Sequence, residues 1–335
     1  MYHTNEKSFE KGDASMKKAT KKVFAILLAM MMIISTVAVS AFAYTRNGRE
    51  YTSMVLLGDS IGAGFSLPDY DRYGKYCLQN KRIEGSFGDL VAKKLKISSY
   101  KPYVSPGFRT KEIRVFLEND YEGDFVTQNF IGSLSGNENY NLEKMKSQRA
   151  SMQKKIGNAD IVMLEVGFND TWLTVMGAYT DFSMTTNDPI GRVMNSPRYL
   201  YELQMGIQDT LFNFQQNFDP IIKDLYRLMK PGSTLVCVGV YNPFKDWTIP
   251  DGSMIYAGQL LNFLYNNMNS VMRSYAGDGV HDYVFVDVPN PEVISNTVND
   301  MLSGVPALHK GGWDPHPTQA GHKYIANQIL TALGA

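Results

Sequence analysis

Five short apolar runs punctuate the chain at Tyr51–Leu57, Tyr100–Val104, Ile161–Val166, Thr234–Val240 and Tyr283–Val288. They are nearly continuous rather than alternating, as expected of strands buried on both faces of a parallel sheet. Between them lie segments with helical spacing: Phe87–Leu95, Thr110–Leu117, Asn141–Ile156, Tyr199–Met229, Leu260–Tyr275 and Thr318–Leu333. In the longest, Leu200, Leu203, Ile207, Leu211, Phe214 and Phe218 recur three or four apart as one stripe for a core. Asp219-Pro220 interrupts it, and is expected to cap one helix and open the next. Strands alternating with helices predict an α/β fold, with a parallel sheet covered by helices on both faces.

Two stretches break this rhythm. Residues 119–141 are rich in Asn, Ser and Gly, and residues 171–197 mix Trp172, Tyr179 and Phe182 with turn residues. Both read as long loop insertions. The second follows the carboxyl end of a strand, where open α/β sheets place their ligands.

The first 43 residues have another pattern. Lys17, Lys18, Lys21 and Lys22 precede an apolar run over 23–39, and Ala41-Phe42-Ala43 supplies small residues at a peptidase site. This predicts a cleaved signal peptide over 1–43, with Met16 as a possible true start, and a secreted domain over 44–335. The rival reading is an uncleaved anchor, since the run nearly suffices to span a bilayer. After cleavage no stable membrane span is expected. No repeat or linker marks a second domain.

The 335 residues are 44% hydrophobic and 20% charged, enough for a large core. Beyond residue 43 the chain carries 27 basic and 30 acidic side chains, so no nucleic-acid partner is expected. Cys77 and Cys237 are the only cysteines. They form no zinc pattern, and Cys237, inside an apolar run, reads more simply as a small core residue than as one end of a bridge to Cys77. No metal or other cofactor is expected, as the histidines lack helical ligand spacing and no His-Glu-x-x-His occurs.

The first run ends at Gly58-Asp59-Ser60-Ile61-Gly62, placing a hydroxyl at the tip of a strand. A serine attacks only when a neighbouring base takes its proton. Past residue 43 the histidines are His281, His309, His316 and His322. His316, in Trp313-Asp314-Pro315-His316-Pro317, is the best-placed base, with prolines stiffening its loop and an acid two residues away. Donors for an oxyanion can come from Gly107, in the turn after the second run, and from the side-chain amide of Asn169, after the third. Each of these residues also has an ordinary reading as a turn or capping residue.

The order Gly58-Asp59-Ser60, Gly107, Gly167-Phe168-Asn169-Asp170 and Asp314-Pro315-His316-Pro317 resembles the four sequence blocks of the SGNH, or GDSL-type, hydrolases. The resemblance runs from about residue 51 to the carboxyl terminus. It implies a three-layer α/β/α sandwich of flavodoxin-like type with a five-stranded parallel sheet. Ser60 would be nucleophile and His316 base, with an oxyanion hole made by the Ser60 and Gly107 backbone N–H groups and the Asn169 side chain. The family's acid normally stands three residues before the histidine, where this chain has Trp313. The favoured acid is therefore Asp314, with the Trp313 carbonyl as the alternative, while Asp59 reads as structural.

The same Gly-x-Ser-x-Gly pattern also fits the α/β-hydrolase elbow, but only about 16 residues of mature chain precede Ser60, too few for the strands that fold places before it. A phosphate loop fits less well still, because no Gly-Lys-Ser or Gly-Lys-Thr follows. The expectation is a secreted serine esterase or lipase acting through an acyl-enzyme on a small-molecule, lipid or polysaccharide ester. The alternatives are a carbohydrate O-acetyl esterase, an acyltransferase using the same site, and a non-catalytic carbohydrate- or surface-binding protein.

Overall fold

The computed structural model describes residues 44–46, 48–65, 67–70, 81–123, 142–171, 197–243, 255–294 and 316–335. After a two-residue hairpin pairing Thr45–Arg46 with Arg49–Glu50, five strands follow. These are β1 (Ser53–Gly58), β2 (Ser99–Val104), β3 (Ile161–Glu165), β4 (Thr234–Val238) and β5 (Asp282–Val286). Each apolar run of the sequence became one strand. All pairings are parallel and the order across the sheet is β2-β1-β3-β4-β5. Every residue of β3 and β4 is buried, which is why these runs do not alternate.

The helices are α1 (Ser60–Ala63), α2 (Phe87–Lys94), α3 (Thr110–Leu117), α4 (Leu142–Ile156), α5 (Pro197–Leu228), α6 (Ile255–Arg273), α7 (Pro291–Ile294) and α8 (Gln319–Leu333). They pack as two groups, α2 with α8 and α7, and α3 with α4, α5 and α6. With the sheet between them they make the expected α/β/α sandwich. The chain steps from β1 outward to β2, then returns to lay β3 on the other side of β1. This reversal opens a crevice between the carboxyl ends of β1 and β3.

At the opposite end of the sheet, Asp160 accepts hydrogen bonds from the Thr52 and Ser53 N–H groups and pairs with Lys230 at 2.5 Å. Burial resists its charge, but Lys230 and those N–H groups outweigh burial and hold its carboxyl down at about 2. The contact ties β1, β3 and the start of β4 together.

One expectation fails. Asp219-Pro220 does not end a helix, and α5 runs through Pro220 without a break. A proline inside a helix costs about 3 kcal/mol. Here Phe214, Phe218, Ile221, Ile222 and Leu225 are all buried on either side of it, and burying each apolar side chain contributes about 1.5–3 kcal/mol. Packing therefore overrides the local signal. Asp219 does not cap; it pairs with Lys223 one turn on and accepts from the Tyr275 hydroxyl.

Cys237 is buried in β4 with a free thiol, and burial pushes that thiol up to about 12, while Cys77 lies outside the described residues. Residues 124–141 and 172–196, most of the two long insertions, also lie outside them, as do residues 1–43. Among the described residues no helix is long and apolar enough to cross a membrane.

Candidate active site

Ser60 is the first residue of α1, directly after β1. Asp59 caps this short helix, its Oδ1 accepting from the Ile61 N–H at 2.7 Å, and Gly64 closes it in a left-handed conformation at φ +74°. Ser60 is buried. Its Oγ lies 2.8 Å from His316 Nε2. The Phe65 ring packs against the imidazole at a centroid distance of 4.3 Å. His316 stands two residues before Thr318, which anchors α8 by accepting from the Gly321 N–H and donating its own N–H to the Ile294 carbonyl at 2.8 Å. Hydroxyl and imidazole thus come from the two ends of the domain and meet over the crevice.

The other two sequence-derived positions border the same turn. Gly107 sits between Ser105 and Phe108 after β2 with φ +84°, a conformation that glycine adopts without strain. Among the described residues neither its N–H nor that of Ser60 has a hydrogen-bond partner. Asn169 stands just past β3, and its Nδ2 donates to Asp59 Oδ2 at 3.0 Å and to the Phe108 carbonyl at 2.9 Å. One amide therefore links the ends of β1, β2 and β3. Asp314 and Trp313, the two candidates for orienting His316, lie outside the described residues, as does His309.

The remaining histidines do other work. His281 is buried between Asp278, 3.0 Å from its Nδ1, and the Met229 carbonyl, 3.2 Å from its Nε2, with the Tyr226 ring stacked on it. His322 is fully buried on α8, its Nδ1 accepting from the Phe87 N–H, while its Nε2 has no partner among the described residues. Burial, aided by the nearby His316, pushes its pKa down to about 3, so it is neutral at ordinary pH.

Sequence reasoning passed over Glu165 and took Asp170 only as a member of the third block. Glu165 ends β3 beneath the Ser60 turn, and Asp170 accepts from both the N–H and the hydroxyl of Thr110 at the start of α3. Burial pushes Glu165 up to about 7 and Asp170 up to about 6, and it raises Asp59 as well, with the Glu165 charge adding to the effect. The signal for Glu165 was present, since a charge inside an otherwise apolar run must be paired once buried. Among the described residues no group of three or more His, Cys, Asp or Glu side chains is placed to hold a metal ion.

The sequence profile of the GDSL-like lipase/acylhydrolase family matches residues 54–329, most of the chain and every element of the sheet. The chain belongs to that family. It is thereby an ester hydrolase by descent. No curated protein sequence matches it. Solved structures similar to this GDSL-like chain include an extracellular lipase from Streptomyces rimosus, 18% identical with a TM-score of 0.48, covering 83% of this chain and 99% of that one. Phospholipase A1 from Streptomyces albidoflavus NA297 is 19% identical with a TM-score of 0.49, covering 84% and 98%. An acetylxylan esterase from Geobacillus stearothermophilus is 12% identical with a TM-score of 0.37, covering 84% and 94%.

Proposed function

We propose that residues 44–335 form an exported serine esterase that cleaves carboxylic esters through an acyl-enzyme. The observation that carries this reading is the 2.8 Å contact between Ser60 Oγ and His316 Nε2. At that distance the hydroxyl can donate to the imidazole, which must then carry its own proton on Nδ1. Ser60 Oγ attacks the ester carbonyl as its proton passes to His316 Nε2. The tetrahedral oxyanion is held by the Ser60 and Gly107 N–H groups and by the Asn169 amide, which exchanges one of its two Nδ2–H bonds, to Asp59 or to the Phe108 carbonyl, for the oxyanion. Collapse expels the alcohol, which takes the proton from His316, and leaves the acyl group on Ser60. Water then attacks the acyl carbon, His316 accepts its proton and returns it to Ser60, and the carboxylic acid departs.

Asp314 accepts a hydrogen bond from the Nδ1–H in this scheme. Asp314→Ala should lower turnover far more than stability, and near-normal turnover in the folded variant would move the role to the Trp313 carbonyl. Export rests on the basic cluster, apolar run and Ala41-Phe42-Ala43 of the amino terminus. Amino-terminal sequencing of protein recovered from the medium should begin at Tyr44.

The deciding assay compares hydrolysis of a short-chain nitrophenyl ester by the native protein and by Ser60→Ala. Loss of the rate in the variant is expected, and equal rates for the two would sink the proposal.

A further inference from the structure

Glu165 is the one charged residue of the run Ile161–Val166, and the scheme above makes no use of it. Its Oε2 accepts from the Asp59 N–H at 3.3 Å and the Gly62 N–H at 3.0 Å, so it grips the backbone on both sides of Ser60. Burial raises this carboxyl and that of Asp59, and the Glu165 charge raises Asp59 further. Two buried carboxyls in one site resist holding two charges and so share one proton. The turn is shaped to admit this group. A Cβ on Gly58 would fall 2.8 Å from Glu165 Oε2, and one on Gly62 would fall 3.1 Å from it. The two glycines of Gly58-Asp59-Ser60-Ile61-Gly62 therefore leave the space that the Glu165 carboxyl occupies. The oxygens of Asp59 in turn take the Ile61 N–H and the Asn169 amide. One buried pair of acids thus engages the N–H groups at 59, 61 and 62 and the side chain of Asn169.

We infer that Glu165 is a positioning residue, which with Asp59 forms a one-proton carboxyl pair that sets the backbone of the Ser60 turn and orients the Asn169 amide. The inference rests on the roles proposed above for Ser60 and Asn169. The pair acts through both of them and touches no substrate. The groups facing it are Asp170, past the end of β3, with Arg109 and Glu112 behind that residue, and the Cys237 thiol on neighbouring β4. None of these stands in for the shared proton. Losing that proton places a second negative charge beside the amide that must stabilise a developing oxyanion, which opposes the transition state.

The test measures kcat and KM on a short-chain nitrophenyl ester for the full chain, Ser60→Ala, Glu165→Ala and Glu165→Gln, with unfolding curves for each. In Glu165→Ala, kcat should fall by about tenfold or more with KM within about threefold. Glu165→Gln should recover kcat to within about threefold of native at neutral pH, because its amide oxygen can accept the two N–H groups and its amide nitrogen can donate to Asp59. Native kcat should decline on the alkaline side as the shared proton is lost, and the Glu165→Gln protein, with no proton to lose there, should not. Native kcat in Glu165→Ala overturns the inference. If that variant does not fold, an alkaline decline in Glu165→Gln equal to the native one overturns it, as does a native enzyme without the decline. An active Ser60→Ala protein overturns instead the reading of the site on which the inference stands.

Discussion

Asp170 Oδ1 accepts from the Thr110 hydroxyl at 2.6 Å and Oδ2 from the Thr110 N–H at 3.0 Å, so the acid that ends the Gly167-Phe168-Asn169-Asp170 turn caps the helix that begins after Gly107. The turns that follow β2 and β3, on either side of the Ser60 turn, are locked together by one side chain. Within α3, Glu112 turns back to the Arg109 N–H and pairs with its guanidinium, which leaves the Thr110 N–H to Asp170.

This contact has a stability signature. Burial pushes Asp170 up to about 6, only partly offset by the two bonds from Thr110. The folded pKa is thus above the unfolded one, so the contribution is fully present below the unfolded pKa of about 3.9 and is lost as pH rises through about 6. From pH 4 to 7 the native protein should lose about 2–3 kcal/mol relative to Asp170→Asn, whose amide can still accept from the N–H and donate to the Thr110 hydroxyl. Urea unfolding of both proteins at the two pH values reads the difference. A constant gap between them would show that Asp170 is charged throughout.

His322 should act in the opposite sense. Its folded pKa is depressed to about 3 by burial and then by His316, so its contribution is present above the unfolded pKa of about 6.5 and is lost as pH falls toward 3. His322→Asn keeps an acceptor for the Phe87 N–H but removes the titration. Between pH 7 and about 4.5 the native protein should lose about 2 kcal/mol more stability than this variant. Chemical denaturation at both pH values decides it, and parallel losses would mean that His322 is already protonated in the fold.

Asn169→Ala tests the junction of the three strand ends. Removing an oxyanion donor lowers kcat by about 10²–10³-fold with a smaller change in KM. Here the variant also strips a donor from Asp59 and from the Phe108 carbonyl, so a drop in stability of about 1–3 kcal/mol should accompany it. A stability loss without the loss of kcat would leave Asn169 as a purely structural link.

The strands were legible because a parallel sheet buried on both faces writes its own pattern, and each of the five apolar runs became a strand in place. α8 was equally readable, with Thr318 its cap as well as its expected first residue. Pro220 misled because a propensity of about 3 kcal/mol was weighed without the buried residues on either side of it. Those burials depend on which helices pack against α5, and no local pattern records that.

The candidate site divides the same way. Ser60, Gly107, Asn169 and His316 could be named from the chain, since each follows a strand or precedes a helix and carries a residue type suited to acyl transfer. The approach of Ser60 to His316 across 256 residues, and the reach of Glu165 into the space left by Gly58 and Gly62, were decided only by tertiary structure. Hydrophobic periodicity specifies which residues enter the core and in what local form. It does not specify which strand lies beside which, and it is the pairing of β1 with β3 that brings a buried acid under the Ser60 turn.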